Sequence, residues 1–164
     1  MFAKLAQKIS GRKCQRANAP ATLSAINAML LEIHGAGQAA NAVRVARLLT
    51  IADIWSLKLL ERPLHNDAPI SIDGRPVSLK VHTALRSHGT DDITTLVPHP
   101  TLEWITYPPL EDEGSLRIIH EVVRCYAHLS THTLSQLLAR ELPAHDDLAP
   151  ITDDTLTRML GQAA

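Results

Sequence analysis

Between Asn41 and Leu60 the chain places Val45, Leu48, Leu49, Ile51, Ala52, Trp55 and Leu59 around most of a helical circumference, with no single apolar stripe. A helix that is apolar nearly all round must be surrounded, so this segment predicts the central element of a helical domain. Asn41 is a suitable N-cap. Arg62-Pro63 stops the helix, because proline lacks the amide donor that a helix interior needs and disfavours helical geometry in the residue before it.

The span from Leu64 to Pro76 is rich in turn formers: Asn66, Asp67, Pro69, Asp73, Gly74 and Pro76. Within it Ile70 and Ile72 alternate with polar neighbours, which predicts a short strand or hairpin. A second, short helix follows. Ser78 can cap it, Val81, Ala84, Leu85 and His88 share one of its faces, and Gly89 supplies a left-handed stop.

The 164 residues suit one domain that buries about two thirds of the surface its unfolded chain exposes. Hydrophobic content is 45% but aromatics are only 3%, which favours helix-on-helix packing over an aromatic-rich sandwich. A net charge of -1 gives no global attraction to nucleic acid or anionic lipid. Charge is nonetheless uneven, with Lys4, Lys8, Arg12, Lys13 and Arg16 at one end and Asp146, Asp147, Asp153 and Asp154 at the other. Cys14 and Cys125 form no Cys-x-x-Cys motif, and a reducing compartment is expected. No apolar run approaches the roughly 20 residues of a spanning helix. The first nineteen residues lack a secretion signal's apolar core, so a cytoplasmic protein without membrane attachment is expected.

Residues 1–19 read as a basic N-terminal arm, with Phe2, Leu5 and Ile9 on one face, and a linker from Gly11 to Ala19; residues 20–164 read as one domain. A helix begins near Pro20, carries Leu23, Ile26, Leu30 and Ile33, and ends at Gly35. Asp91–Leu96 is expected to make one helical turn, and Leu102–Tyr107 a strand fenced by Pro98, Pro100, Pro108 and Pro109. Ser115–Ala127 reads as a second largely buried helix, with Leu116, Ile119, Val123 and Tyr126 on one face. Ser130 caps a helix containing Leu134, Leu137 and Leu138 that Pro143 closes, and a last helix follows Thr152.

Catalytic and metal signatures are weak. His128 and His132 have i, i+4 spacing, but Ser130 starts a helix between them and no acid or thiol completes a ligand set. Ser130 and Ser135 lack a nucleophile-elbow context, and the seven glycines form no phosphate cradle. No enzyme activity and no cofactor are expected. A helix-turn-helix reading would rest on His132, Gln136 and Arg140 alone, against a purely structural helix. Asp53 lies inside the apolar helix, so its carboxylate is either a structural ion-pair partner of Arg62, Arg75 or another base, or it serves a partner or pocket. Arg44, Arg47, Lys58, Arg62, Arg75, Lys80 and Arg86 make the middle of the chain basic.

The order of the mid-chain motifs resembles the Panacea domain, the family of SocA-like antitoxins and phage-associated proteins. Leu48, Leu49, Ala52 and Asp53 match its Leu-Leu-Tyr-x-Ala-Asp helix. Arg62, Pro63, Leu64 and Asp67 match its Arg-Pro-Ile/Leu turn, and Pro76 and Val77 its Gly-Pro-Val-Pro-Ser element. Tyr126-Ala127-His128-Leu129-Ser130 with Leu134-Ser135 is similar to its Tyr-Gly-x-Leu-Ser helix junction. Thr50, Arg75 and Ala127 depart from the pattern, and Ser71-Ile72-Asp73-Gly74 replaces its Ala-Met-Lys-His run. The resemblance spans roughly Ala21 to Leu142.

The expected fold is therefore α+β and mainly α, a helical bundle around the 41–60 and 115–127 helices with small strands near Ile70 and Leu102, where the family implies a strand pair. The resemblance implies an antitoxin of a bacterial or prophage toxin–antitoxin pair that neutralises a protein toxin by direct contact and, in SocA-like members, delivers it to a protease. Asp53, Arg62, Arg75, Lys80 and His82 are the expected partner-binding residues. The alternatives are a phage- or mobile-element-encoded interaction protein acting on a host complex without a cognate toxin, and a nucleic-acid-binding regulator.

Overall fold

A computed structural model describes residues 16–141 and 146–161. Among them the chain forms α1 (Thr22–Gly35), α2 (Ala42–Leu59), β1 (Ile70–Ile72), β2 (Arg75–Val77), α3 (Leu79–Leu85), α4 (Glu113–Tyr126), α5 (Thr131–Glu141) and α6 (Asp153–Arg158), a mainly α, α+β arrangement. Helix α2 touches every other helix and β2 as well. Its buried set runs from Val45 through Leu48, Leu49 and Ile51 to Ile54, so most of the all-round apolar character is used; Val43 and Leu59, at its two ends, are the exceptions.

Two hydroxyls inside this helix are satisfied locally. The Thr50 hydroxyl donates to Ala46 O at 3.0 Å and Ser56 to Arg62 O at 2.7 Å, the latter fastening the chain as it leaves the helix. Side-chain caps mark the starts of most elements. Asn41 accepts from Arg44 N, Ser78 from Val81 N, Asp112 from Ser115 N, Ser130 from Thr133 N and Thr152 from Thr155 N. Arg44 closes the end of α4, donating to Ala127 O at 2.8 Å and Leu129 O at 3.3 Å. The helix over the Ser115 region begins two residues early, at Glu113, and Leu116 turns toward solvent while Ile118, Ile119, Val122 and Val123 are buried.

The expected hairpin is present. β1 and β2 are antiparallel, with Ile70 opposite Val77 and Ile72 opposite Arg75. Asp73 (φ +50°) and Gly74 (φ +67°) make the two-residue turn, whose left-handed geometry matches the twist of the strands. Pro76 lies opposite Ser71, whose amide and carbonyl point away from it: Ser71 N donates to Ala149 O and Ser71 O accepts from Leu148 N. The missing proline donor therefore costs the ladder nothing. The same bonds, with Ile151 N to Pro69 O at 2.9 Å, lay the C-terminal segment along β1.

Three expectations are corrected. Leu102–Tyr107 is not a strand; it makes one bridge, between Pro98 and Thr106, because the flanking prolines leave too few donors for a ladder. Asp91–Leu96 is not helical; Ile93 N donates to Ala40 O, and Asp92 Oδ1 accepts from Ala40 N at 2.6 Å, so the segment is spent on anchoring the loop before α2. Within the expected 11–19 linker, Arg16 is buried in the domain. Phe2, Leu5, Ile9, Cys14 and Pro143 lie outside the described residues. In place of a second sheet, fully buried Asn27 on α1 holds the 97–107 loop. Its amide donates to Val97 O at 3.1 Å and Tyr107 O at 2.7 Å, and its oxygen accepts from Val97 N at 2.7 Å.

Candidate functional site

The helix-interior carboxylate of Asp53 is the point around which the motif residues assemble. It is 3% exposed, and both of its oxygens are engaged. Oδ1 accepts from Leu64 N at 2.8 Å, and Oδ2 from Arg16 Nη2 at 3.0 Å. Its ion-pair partner is thus neither Arg62 nor Arg75 but a base from before the expected domain start.

Arg16 uses every N–H of its guanidinium. Besides the bond to Asp53, Nε and Nη2 reach Asp153 Oδ1 at 2.9 and 2.6 Å, and Nη1 donates to the carbonyls of His65 and Asp67 at 3.1 and 3.0 Å. Burial works against its charge, but the two carboxylates more than offset this and raise its pKa. One side chain thereby joins the N-terminal segment, the central helix, the 62–67 turn and the first residue of α6.

The turn is fixed from its other side as well. Asn66 Oδ1 accepts from the Thr22 hydroxyl at 2.9 Å and from Lys80 Nζ at 3.3 Å, and Asn66 N donates to Pro20 O at 3.0 Å. The Asp67 carboxylate accepts from the Ser78 hydroxyl and from Lys80 N at 3.0 Å, supplementing the cap of α3. His65 is 3% exposed and burial lowers its pKa, so the ring is neutral. Its Nδ1 lies 3.3 Å from both Asp67 N and the Thr22 hydroxyl.

The expected partner-binding residues therefore fall into three settings. Asp53 is interior. Arg62 is half-exposed and paired with Asp112 Oδ2 at 2.6 Å, which secures the 62–67 turn to the start of α4. Arg75 is half-buried on β2, while Lys80 and His82 are exposed on α3. Two concavities flank α3. An open groove of about 620 Å³ has Lys80 on its rim and Leu23, Leu79, Pro98 and Tyr107 among its walls. Trp104, 81% exposed, and Ile105 project from the loop that builds this groove. On the other side a smaller cleft of about 350 Å³ lies between α2, β2 and α3.

Sequence reasoning missed Arg16 and Asn27. A guanidinium ahead of the domain and an asparagine in an apolar helix face were the only signals, and neither names its partner. Among the described residues there is no group of three His, Cys, Asp or Glu side chains that could hold a metal ion. Ser130 is used as a helix cap and Ser135 accepts from Arg47 Nε. No described helix is long and apolar enough to cross a membrane. No protein-family model, curated protein or solved structure matches the chain.

Proposed function

We propose that this protein is an antitoxin that neutralises a protein toxin by direct contact in the cytoplasm, with delivery of the toxin to a protease as a further step that the Panacea resemblance implies. The observation that carries the reading is the convergence of the family-like motifs: the Leu-Leu-x-x-Ala-Asp helix, the Arg-Pro-Leu turn and the segment after Pro76 are tied together through Asp53, Arg16 and Asp67. Such a network serves a rigid scaffold. Its charged groups are spent on one another, which suits a recognition surface outside it and not a reaction centre within it.

The proposed contact face is the groove beside α3. Lys80 offers a charge there, and Trp104, Ile105 and Leu79 expose apolar surface around it. Clustered exposed apolar groups mark interaction sites, and a tryptophan is the residue type most often found to anchor one. The test is co-expression with the product of the adjacent open reading frame. Growth rescue by the wild type, lost with Trp104→Ala or Lys80→Glu and accompanied by loss of co-purification, is the expected result; rescue that persists in the double variant overturns the placement. Toxin half-life with and without this protein decides the protease step.

A further inference from the structure

The cleft between α2, β2 and α3 differs chemically from the groove beside Trp104. The titratable groups on its wall are Arg47, His65, His82 and Arg86, and among the described residues no acidic side chain lines it. Its volume of about 350 Å³ falls within the range of small-molecule sites. Apolar side chains make up most of the remaining wall, among them Val43, Ala46, Leu49, Ile72 and Leu85.

Arg47 is the group whose surroundings are incomplete. It is half-buried on α2, its Nε donates to Ser135 Oγ at 3.2 Å, and among the described residues no carboxylate pairs with it. Burial lowers its pKa, and a second cation, Arg75 on β2, lowers it further. Two like charges near each other repel, and an anion bound at Arg47 relieves that repulsion. The free end of Arg47 is a planar fork that matches a carboxylate in two parallel hydrogen bonds. His65, almost wholly buried, also lines the cleft.

We propose that this cleft is a binding site for a small amphipathic carboxylate, with the acidic group held by Arg47 and the apolar body against Val43, Ala46, Ile72 and Leu85. A singly charged head on an apolar tail fits better than a phosphate, because most of the wall is apolar and would leave a doubly charged, strongly hydrated group poorly solvated. The site is independent of the toxin reading. Helix α3 separates the two concavities, turning Leu79, Lys80, Thr83 and Ala84 to the groove and Val81, His82 and Leu85 to the cleft.

Calorimetric titration of the full chain with octanoate, and with octanol as the uncharged analogue, tests the proposal, with NMR shift changes locating the site. Octanoate is expected to bind one to one with shifts in α2, β2 and α3, and octanol at least about tenfold more weakly. Arg47→Gln is expected to weaken octanoate by about tenfold or more, and Arg117→Gln on α4 to leave it unchanged. Absence of octanoate binding, equal affinity for octanol, wild-type affinity in Arg47→Gln, or shifts centred on the Trp104 groove overturns it. If Arg47→Gln fails to fold, Arg86→Glu decides: this exposed rim position must still weaken octanoate several-fold, and unchanged affinity overturns the site.

Discussion

Arg16 Nη2 and Asp53 Oδ2 stand 3.0 Å apart with side chains only 8% and 4% exposed, so a charge from ahead of the first helix neutralises one inside the central helix. Pairs of this kind add little over an apolar replacement of both partners, but removal of one partner strands the other in a low-dielectric interior. Arg16→Met is therefore expected to lower unfolding stability by about 3–5 kcal/mol, and Asp53→Asn by a similar amount. Arg16→Lys restores the charge but not the fork, and is expected to recover only part of the loss. Urea denaturation of the three variants measures this; a wild-type midpoint in Arg16→Met contradicts it.

Asn27 is the internal strut of a loop that has no sheet to hold it. Asn27→Leu removes the hydrogen bonds to Val97 and Tyr107 and leaves two backbone groups, Val97 N and Tyr107 O, unpaired, while Val97 O keeps Tyr107 N; the cost is about 1–3 kcal/mol for each one that water cannot reach. Hydrogen exchange is the sensitive readout. The amides of Val97 and Tyr107 are expected to lose protection first, while those in the middle of α2 keep theirs.

His65 gives the fold a pH dependence on the acid side. Its pKa in the folded state lies below the ordinary value of 6.5, chiefly through burial. The unfolded chain therefore binds more protons once pH falls through 6.5, and stability contributed by the neutral ring is present above that value and declines below it until the folded-state pKa is reached. The unfolding free energy of the wild type is expected to drop between pH 7.5 and 5.5. In His65→Gln the drop should be smaller, and equal slopes for the two proteins would count against a buried neutral histidine.

Trp104 and Lys80 separate binding from folding. Both are exposed, and neither Trp104→Ala nor Lys80→Glu is expected to move the melting temperature of the free protein by more than a few degrees. Truncating a central aromatic anchor costs about 2 kcal/mol or more of binding, a loss of at least about thirtyfold in affinity. Pull-down and calorimetry with the purified partner check both halves.

What could be read from the sequence was whatever is encoded locally. Asn41, Ser78, Ser130 and Thr152 announce helix starts within three residues of the amides they cap, and Ile70 and Ile72 mark a strand whose partner follows after Asp73-Gly74. Leu102–Tyr107 has strand-like residues, but a strand needs a neighbour with free donors and acceptors, and the flanking prolines deny it one. The site was legible only in part. Asp53 stood out as a charge in an apolar helix, yet its partner is 37 residues away, and the same guanidinium reaches Asp153 at a separation of 137. No spacing rule spans such distances. Arg75, Lys80 and His82 could be named from the motif order, but the division of the surface by α3 emerges only once the helix is folded.

The guanidinium shared between Asp53 and Asp153 also bears on biosynthesis. A ribosome releases Asp53 long before Asp153, so a nascent chain holds Arg16 balanced in charge by Asp53 but without the acceptor for Nε and one Nη2 N–H until α6 emerges. Premature termination anywhere upstream of α6 would leave those guanidinium donors without their acceptor beside the central helix. Quality-control proteases that sample transient opening would then meet a truncated product more readily than the finished one.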